Sequence, residues 1–314
     1  MNIVLMESLG IESECLNKYI KKLTDCGHNF KIYDRTDNKE TQKEELKDAD
    51  IAIIANMPLS AEVIKSAKNL KFIDIAFTGT DHVDVQTARK AGIAVSNASG
   101  YSNDSVAELT ICMILTLLRN VREVEQKCRE HKTKDGLVGC ELKGKTAGII
   151  GTGAIGMTVA KILSFMGCKI IAYNGFSNKK SNDFITYMPL KEMLENSDIV
   201  SLHCPSTKES RHLINSETIA YMKKDAILIN TARGAVVDSK ALADALNNGR
   251  IRAAAIDVFD KEPPLGADEP LLSAKNTLLT PHIAFASKES MQKRAEIVFK
   301  NIDMWLEGKQ INKV

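Results

Sequence analysis

The run Gly151-Thr152-Gly153-Ala154-Ile155-Gly156 directly follows the apolar stretch Ala147 to Ile150. It opens a segment with Ile155, Val159, Ile162 and Phe165 at helical spacing. Strand, glycine turn and helix in that order aim free backbone N–H groups at a pyrophosphate. A glycine run of this form is weak evidence by itself, and a tight structural turn is the other reading. The flanking strand and helix favour dinucleotide binding.

The rest of the chain is organised around such units. From residue 2 to 95, short apolar runs (Ile3 to Met6, Phe30 to Tyr33, Ile51 to Ala55, Phe72 to Ala76, Ile93 to Val95) alternate with charged helical stretches. That alternation predicts parallel strands joined by crossover helices. A second alternation begins at Thr146, with strand-like runs at Ala147 to Ile150, Lys169 to Tyr173, Ile199 to His203, Ala226 to Ile229, Ala253 to Val258 and Thr277 to Leu279. The expected fold class is therefore α/β, with two doubly wound parallel-sheet domains. A length of 314 residues agrees, because one core rarely grows past roughly 250 to 300 residues. Between the two halves, Ser105-Val106-Ala107-Glu108 fits a capping box. It predicts a long helix with Val106, Leu109, Met113, Leu117, Val121 and Val124 on one stripe, able to join the domains or meet a second subunit. Ser287 to Trp305 reads as a last helix, expected to pack back onto the first domain.

Composition excludes several classes. Forty-two basic against 40 acidic residues, spread along the chain for a net charge of +2, leave no electrostatic footprint for nucleic acid or an anionic membrane. A small solute is the expected partner. The seven cysteines are scattered and contain no C-x-x-C, which reads as reduced thiols in a cytoplasmic protein with neither a disulfide framework nor a metal site. The N-terminus lacks the basic region and long apolar core of a signal peptide. The longest apolar stretch, Leu109 to Leu118, stops well short of the roughly 20 residues needed to cross a bilayer.

Three residues near the end of the chain have the chemistry to hold a 2-keto acid and pass it a proton. Arg233 follows the strand-like Ile227-Leu228-Ile229 and precedes Gly234. Ligands bind beyond the carboxyl ends of strands in open sheets, and a guanidinium can grip a carboxylate through two parallel bonds. A surface salt bridge is the plain alternative. His282 follows Pro281 just past Leu278-Leu279-Thr280, where an imidazole titrating near neutrality can protonate a carbonyl oxygen. Glu262, before Pro263, can orient that imidazole, although its position alone is that of an ordinary loop carboxylate. His203-Cys204-Pro205 also ends a strand and is expected to form cofactor wall through its backbone.

The second strand of the nucleotide unit ends at Asn174, eighteen positions after Gly156, where an acidic residue would accept the adenosine ribose hydroxyls. An amide removes the charge that would repel a 2′-phosphate, and Ser177, Lys179 and Lys180 stand close enough in sequence to bind one. Asn174 can equally hydrogen-bond a plain ribose. NAD and NADP both stay open.

Taken with Asn230-Thr231-Ala232-Arg233-Gly234, Asp257-Val258-Phe259 with Glu262-Pro263, and Pro281-His282-Ile283-Ala284, the glycine run resembles the D-isomer-specific 2-hydroxyacid dehydrogenases over nearly the whole chain. The resemblance implies a discontinuous flavodoxin-like substrate domain, residues 1–99 plus 285–314, around a Rossmann domain, residues 100–284, with the active site in the cleft between them. It implies that Arg233 binds the substrate carboxylate, that His282 is the acid/base and that Glu262 orients it. Thr78, Gly79 and Thr80 would supply substrate contacts. The implied cofactor residues are Thr110, Gly151, Gly153, Ala154, Ile155, Gly156, Asn174, His203, Cys204, Pro205, Thr231, Ala232, Asp257 and Ala284. A homodimer is implied as well.

Within the family, Tyr33-Asp34-Arg35-Thr36, Thr78-Gly79 and Gly100 to Glu108 look most like glycerate dehydrogenases, also called hydroxypyruvate reductases. Two departures stand out: Asn174 replaces the usual aspartate, and Phe77 is bulkier than the small residue often found there, which would trim the substrate pocket. The chain ends at Val314 and is expected to lack the regulatory domain of many phosphoglycerate dehydrogenases. The leading expectation is reduction of hydroxypyruvate to D-glycerate. The alternatives are a dehydrogenase for larger, branched or aromatic 2-hydroxy acids, and a nucleotide-sensing protein like the corepressors that share this fold.

Overall fold

Strands buried on both faces of a parallel sheet are apolar throughout rather than alternating, and this chain contains two sets of them. The computed structural model describes residues 1–175, 179–261 and 265–314. It divides into one unit of Met1–Ser102 with Ala286–Val314 and a second of Asn103–Phe285.

In the first unit, β1 (Asn2–Leu5), β2 (Asn29–Ile32), β3 (Ile51–Ile54), β4 (Phe72–Ile75) and β5 (Ala94–Asn97) form one parallel sheet. Their order is β2-β1-β3-β4-β5, the flavodoxin-like arrangement. β3 and β4 are buried at every position, whereas edge strand β2 is mostly exposed. The helix Lys288–Leu306 belongs to this unit, as its sequence pattern predicts. Ser287 caps it by accepting from the Ser290 amide at 3.1 Å, and the Ser290 hydroxyl accepts from the Ser287 amide in return. Phe299 stacks on Tyr19 with centroids 4.4 Å apart, and Trp305 on Phe72 at 5.0 Å.

The C-terminal tail covers β5. Val314 N–H donates to Val95 O at 3.0 Å, Ser96 Oγ donates to Ile311 O at 2.6 Å, and Ser96 bridges Lys313 in antiparallel fashion. An edge that would otherwise offer unpaired amides is thereby closed. Asn301 ties the helix to the sheet, donating to Asp74 Oδ1 at 2.9 Å and to Asn97 O at 3.1 Å, while Asn312 donates to Asn301 Oδ1 at 2.8 Å.

In the second unit, β6 (Thr146–Ile150), β7 (Lys169–Tyr173), β8 (Thr186–Tyr187), β9 (Ile199–Leu202), β10 (Ile227–Asn230), β11 (Ala253–Ile256) and β12 (Thr277–Leu279) form a parallel sheet. The order is β12-β11-β10-β9-β6-β7-β8. Strand order reverses at β6, the position where doubly wound sheets bind nucleotides. β8 is not anticipated by the sequence reading, because two residues are too few to show a period.

The helix expected from Ser105 onward needs correcting. It spans Asn103–Leu118, and the Ser105 hydroxyl donates to Ala284 O at 2.6 Å instead of forming a capping box. Asn120 then takes a left-handed φ of 50° and starts a separate helix, Val121–Arg129, that buries none of its residues. The buried face is Val106, Ala107, Thr110, Met113, Ile114 and Leu118, so Val121 and Val124 do not extend it. Asparagine tolerates the left-handed turn that breaks the stripe. Among the described residues, no helix is long and apolar enough to cross a membrane.

Asp74 is fully buried, and burial holds its carboxyl well above the usual carboxylate range, with the Asn301 bond only partly opposing this. A raised value means that Asp74 stabilises fully below its unfolded value and loses that contribution as pH rises through the folded one. Asp74→Asn keeps an acceptor for Asn301 and removes the titration. The variant is expected to melt a few degrees higher at neutral pH, at about 2–4 °C per kcal/mol for a chain of this order, with the difference shrinking toward pH ~4. Calorimetry across that range checks it, and an unchanged or lower melting point at neutral pH would refute it.

Candidate active site

The glycine run forms a tight cradle. Gly151 has φ of +88°, and a Cβ there would lie 2.7 Å from the His203 carbonyl carbon and oxygen. A Cβ on Gly156 would meet Gly151 O at 2.1 Å. Strand, turn and helix can approach this closely only without side chains at those two positions. A Cβ on Gly153 would meet nothing within 4 Å, so the cradle opens there. Gly153 is the N-cap of the helix Ala154–Phe165 and brings no capping side chain, which leaves the first-turn amides of Ala154, Ile155 and Gly156 without intrahelical acceptors. A pyrophosphate matches that set of donors. The residues present therefore fit a dinucleotide.

The wall beside the cradle is uncharged at neutral pH. His203 N–H donates to Ile150 O at 2.7 Å, and its Nε2 lies 2.8 Å from Ser201 Oγ. His203 is partly exposed as a residue, yet its ring nitrogens sit deep enough that burial pulls its pKa down to about 3. Burial pushes the Cys204 thiol up to about 11. Pro205 O accepts from Ser210 Oγ at 2.7 Å, fixing the turn that follows.

Three side chains converge on Thr152 inside the cradle. Asn174 Oδ1 faces the Thr152 amide at 3.5 Å, Lys179 Nζ donates to Thr152 O, and Tyr187 OH donates to Thr152 Oγ1 at 3.0 Å. Lys180 is exposed, and Ser177 lies outside the described residues. Tyr187 is not found by the sequence reading; its only signal was the short run Ile185 to Met188.

The arginine and histidine motifs are built from one another. Buried Asn230 accepts from Ala232 N at 3.0 Å and donates to Arg233 O at 2.9 Å, which cinches the turn holding Thr231, Ala232 and Arg233. Thr231 Oγ1 lies 2.9 Å from Thr110 Oγ1, and Thr110 also donates to Val106 O. Arg233 is partly exposed, with one guanidinium N–H on Ala232 O at 2.7 Å. A Cβ on Gly234 would lie 1.9 Å from the Phe259 carbonyl carbon, so the arginine turn rests backbone to backbone on the segment after β11.

That segment begins with Asp257, which is fully buried. Its Oδ1 accepts from Thr280 Oγ1 at 2.5 Å and Ile283 N at 2.9 Å, its Oδ2 from Ala284 N at 2.9 Å, and its carbonyl from His282 N at 2.7 Å. His282 is held with φ of +56°, a conformation uncommon for any residue with a side chain, and its ring meets the edge of Phe285 at 5.4 Å. The structure thus brings residues 230–234, 257–260 and 280–284 together beyond the ends of β10, β11 and β12. Glu262 lies outside the described residues. Thr78, Gly79 and Thr80 follow β4 in the first unit, where Thr78 O accepts from Asn97 Nδ2 at 2.8 Å.

A dinucleotide cradle in the same sheet as an arginine and a histidine suited to a keto acid points to a nicotinamide-dependent oxidoreductase. Comparison with known proteins narrows the class. The model of the D-isomer specific 2-hydroxyacid dehydrogenase NAD binding domain matches residues 111–284, more than half of the chain. The hydroxypyruvate reductase of Blautia hydrogenotrophica is 35% identical, covering 98% of this chain and 99% of that one. Among solved structures, an acyclic imino acid reductase in complex with NADPH and D-Arg covers both chains fully at 30% identity and a TM-score of 0.91. The D-lactate dehydrogenase of Aquifex aeolicus complexed with NAD and lactic acid covers 98% and 96% at 32% identity and a TM-score of 0.87. The chain belongs to the D-isomer specific 2-hydroxyacid dehydrogenase family and is an NAD(P)-dependent oxidoreductase.

The open space at Gly153 makes the cradle testable without disturbing the fold. Gly153→Ala is expected to melt with the wild type, yet to bind reduced cofactor at least about tenfold more weakly, a loss of about 1.4 kcal/mol. Fluorescence titration beside thermal melting checks this; full affinity would place the pyrophosphate elsewhere.

Proposed function

We propose that this protein reduces hydroxypyruvate to D-glycerate, with Arg233 and His282 carrying the chemistry. The observation behind this reading is the shared scaffold of the two: Gly234 seats the arginine turn against residues 259–260, and Asp257, two residues earlier, holds the histidine loop. A named hydroxypyruvate reductase matching the chain from end to end supports the substrate.

Arg233 pairs with the substrate carboxylate through its planar fork. Thr78, Gly79 and Thr80 contribute further substrate contacts. A nicotinamide dinucleotide held by the amides of Ala154, Ile155 and Gly156 would supply the hydride for C2 of the keto acid. As negative charge develops on the carbonyl oxygen, His282 gives that oxygen a proton, and the product is the 2-hydroxy acid. Glu262 has the role of orienting the imidazole in this reading. The left-handed backbone of His282, fixed by Asp257 and Thr280, sets the direction of its ring before substrate arrives. Thr110, Thr231, Ala232, Asp257 and Ala284 line the cofactor's path, with Asp257 acting chiefly through the loop it holds.

Asn174 and Lys179 favour NADP(H). The amide presents no negative charge, and the lysine already reaches the cradle at Thr152, where its ammonium can turn to a 2′-phosphate. The enzyme works in the cytoplasm as a homodimer, in keeping with seven free cysteines and an almost fully exposed Phe165 at the end of the cradle helix.

His282→Gln is expected to lower kcat about a hundredfold to ten-thousandfold with little change in cofactor affinity; unaltered turnover would remove the proton-transfer role. For the cofactor, absorbance assays with hydroxypyruvate should show Lys179→Ala losing about tenfold in kcat/KM for NADPH and little for NADH. A wild-type preference for NADH would instead leave Asn174 as a ribose ligand only.

A further inference from the structure

Tyr187 closes the two-residue strand β8, and its ring and hydroxyl do different things. The ring packs, partly buried, against the core of the second unit that contains Ile170, Ala172 and Ile185. A phenylalanine would fill that place as well. The hydroxyl instead leaves the core and donates to Thr152 Oγ1 at 3.0 Å, inside the glycine turn. Thr152 is only 2% exposed, and its carbonyl accepts from Lys179 Nζ. A tyrosine and a lysine therefore grip the same buried residue, one at its side chain and one at its backbone.

Both side chains belong to one excursion of the second unit, which leaves β7 at Asn174 and returns along β8, where Tyr187 pairs with Ala172 in parallel register. Ser181 Oγ accepts from the Tyr187 amide at 2.8 Å, and Asn182 Oδ1 accepts from the amides of Phe184 at 2.9 Å and Ile185 at 3.1 Å. These bonds tie the stretch after Lys179 to the strand that presents the tyrosine. Lys179 is exposed, and among the described residues no carboxylate pairs with it. Its ammonium rests on a neutral carbonyl, so its charge is not neutralised there. A lysine stem loses much rotamer freedom when it is held in one place, and what it is held on decides where the charge stands. A β-branched residue has few χ1 wells. Pinning Thr152 Oγ1 therefore fixes the residue, and with it the carbonyl that receives the lysine.

We propose that Tyr187 is a positioning residue for cofactor selection: through Thr152 it fixes the carbonyl on which Lys179 rests, and so holds the ammonium ready for the 2′-phosphate of a dinucleotide. This rests on the NADP(H) reading above and deepens it, since the tyrosine acts through the threonine and the lysine and touches no part of the cofactor. A preplaced ammonium makes a charge-assisted bond to a phosphate and gains much less from a ribose hydroxyl. The contribution of the tyrosine therefore falls on NADPH rather than on NADH.

The test is a double-mutant cycle read by fluorescence titration, giving Kd for NADPH and for NADH in the wild type, Tyr187→Phe, Lys179→Ala and the double variant, beside thermal melting. Tyr187→Phe removes one oxygen and keeps the ring. It should melt with the wild type and lower the preference for NADPH about three- to tenfold, the range of one neutral hydrogen bond, almost wholly through Kd for NADPH. In the Lys179→Ala background the same substitution should shift the preference by less than about twofold, because the group being positioned is gone. Thr152→Val, which removes the acceptor and keeps the branched shape, should reproduce Tyr187→Phe and carries the test if that variant fails to fold. An unchanged preference, an equal loss for both cofactors, or an effect of full size without the lysine would make the tyrosine purely structural and overturn the proposal. If Lys179→Ala by itself leaves NADPH binding intact, the NADP(H) reading falls, and this inference with it.

Discussion

One buried carboxylate organises the loops beyond β10, β11 and β12 in the second unit. Asp257 accepts three hydrogen bonds from Thr280, Ile283 and Ala284, and its backbone carbonyl accepts a fourth from His282. Bonds to a carboxylate are shorter and stronger than those between neutral groups. Removing this one would leave the buried Ala284 amide without its acceptor, at a cost of about 1–3 kcal/mol, and would release the more exposed Thr280 and Ile283 donors to water. The left-handed conformation of His282 persists because this clamp over-determines it, which is how strained backbone is retained at functional sites. On the other side of the same segment, Gly234 admits the Phe259 backbone at a distance no side chain would allow. The arginine and the histidine therefore share one support.

The electrostatics of the nucleotide side follow from burial. His203 and Cys204 stand against the glycine cradle, and burial keeps the imidazole deprotonated and the thiol protonated at neutral pH. A charged wall would compete with the amide donors of the helix N-terminus for an anion, and an uncharged one does not. The cationic groups in this chain are thus placed selectively: Arg233 beyond β10, Lys179 at Thr152, and Arg294 beyond the sheet of the first unit.

Much of this was legible from residue order. Apolar runs in the sequence match the long strands of both sheets to within one or two residues, because strands covered on both faces need unbroken apolar composition. The glycine spacing foretold the cradle for a similar reason, since only glycine satisfies such close approaches. The helix beginning near Ser105 was less legible. Its apolar stripe continues on paper through Val121 and Val124, but Asn120 turns the chain, and Ser105 spends its hydroxyl on Ala284. Local capping signals cannot register a partner 179 residues away. β8, and with it Tyr187, had too few residues to produce a period.

The sequence by itself determined the two doubly wound sheets and the glycine turn between strand and helix, and it proposed the arginine and the histidine, because periodicity, turn chemistry and residue type are local properties. Only the tertiary structure decided that Asp257 holds the histidine loop, that Gly234 joins two motifs backbone to backbone, and that Arg294 lies buried against Phe77 and Tyr101 with its Nε–H unpartnered among the described residues. Those facts depend on which residues meet across long separations, and hydrogen-bond satisfaction can be counted only once the chain has folded.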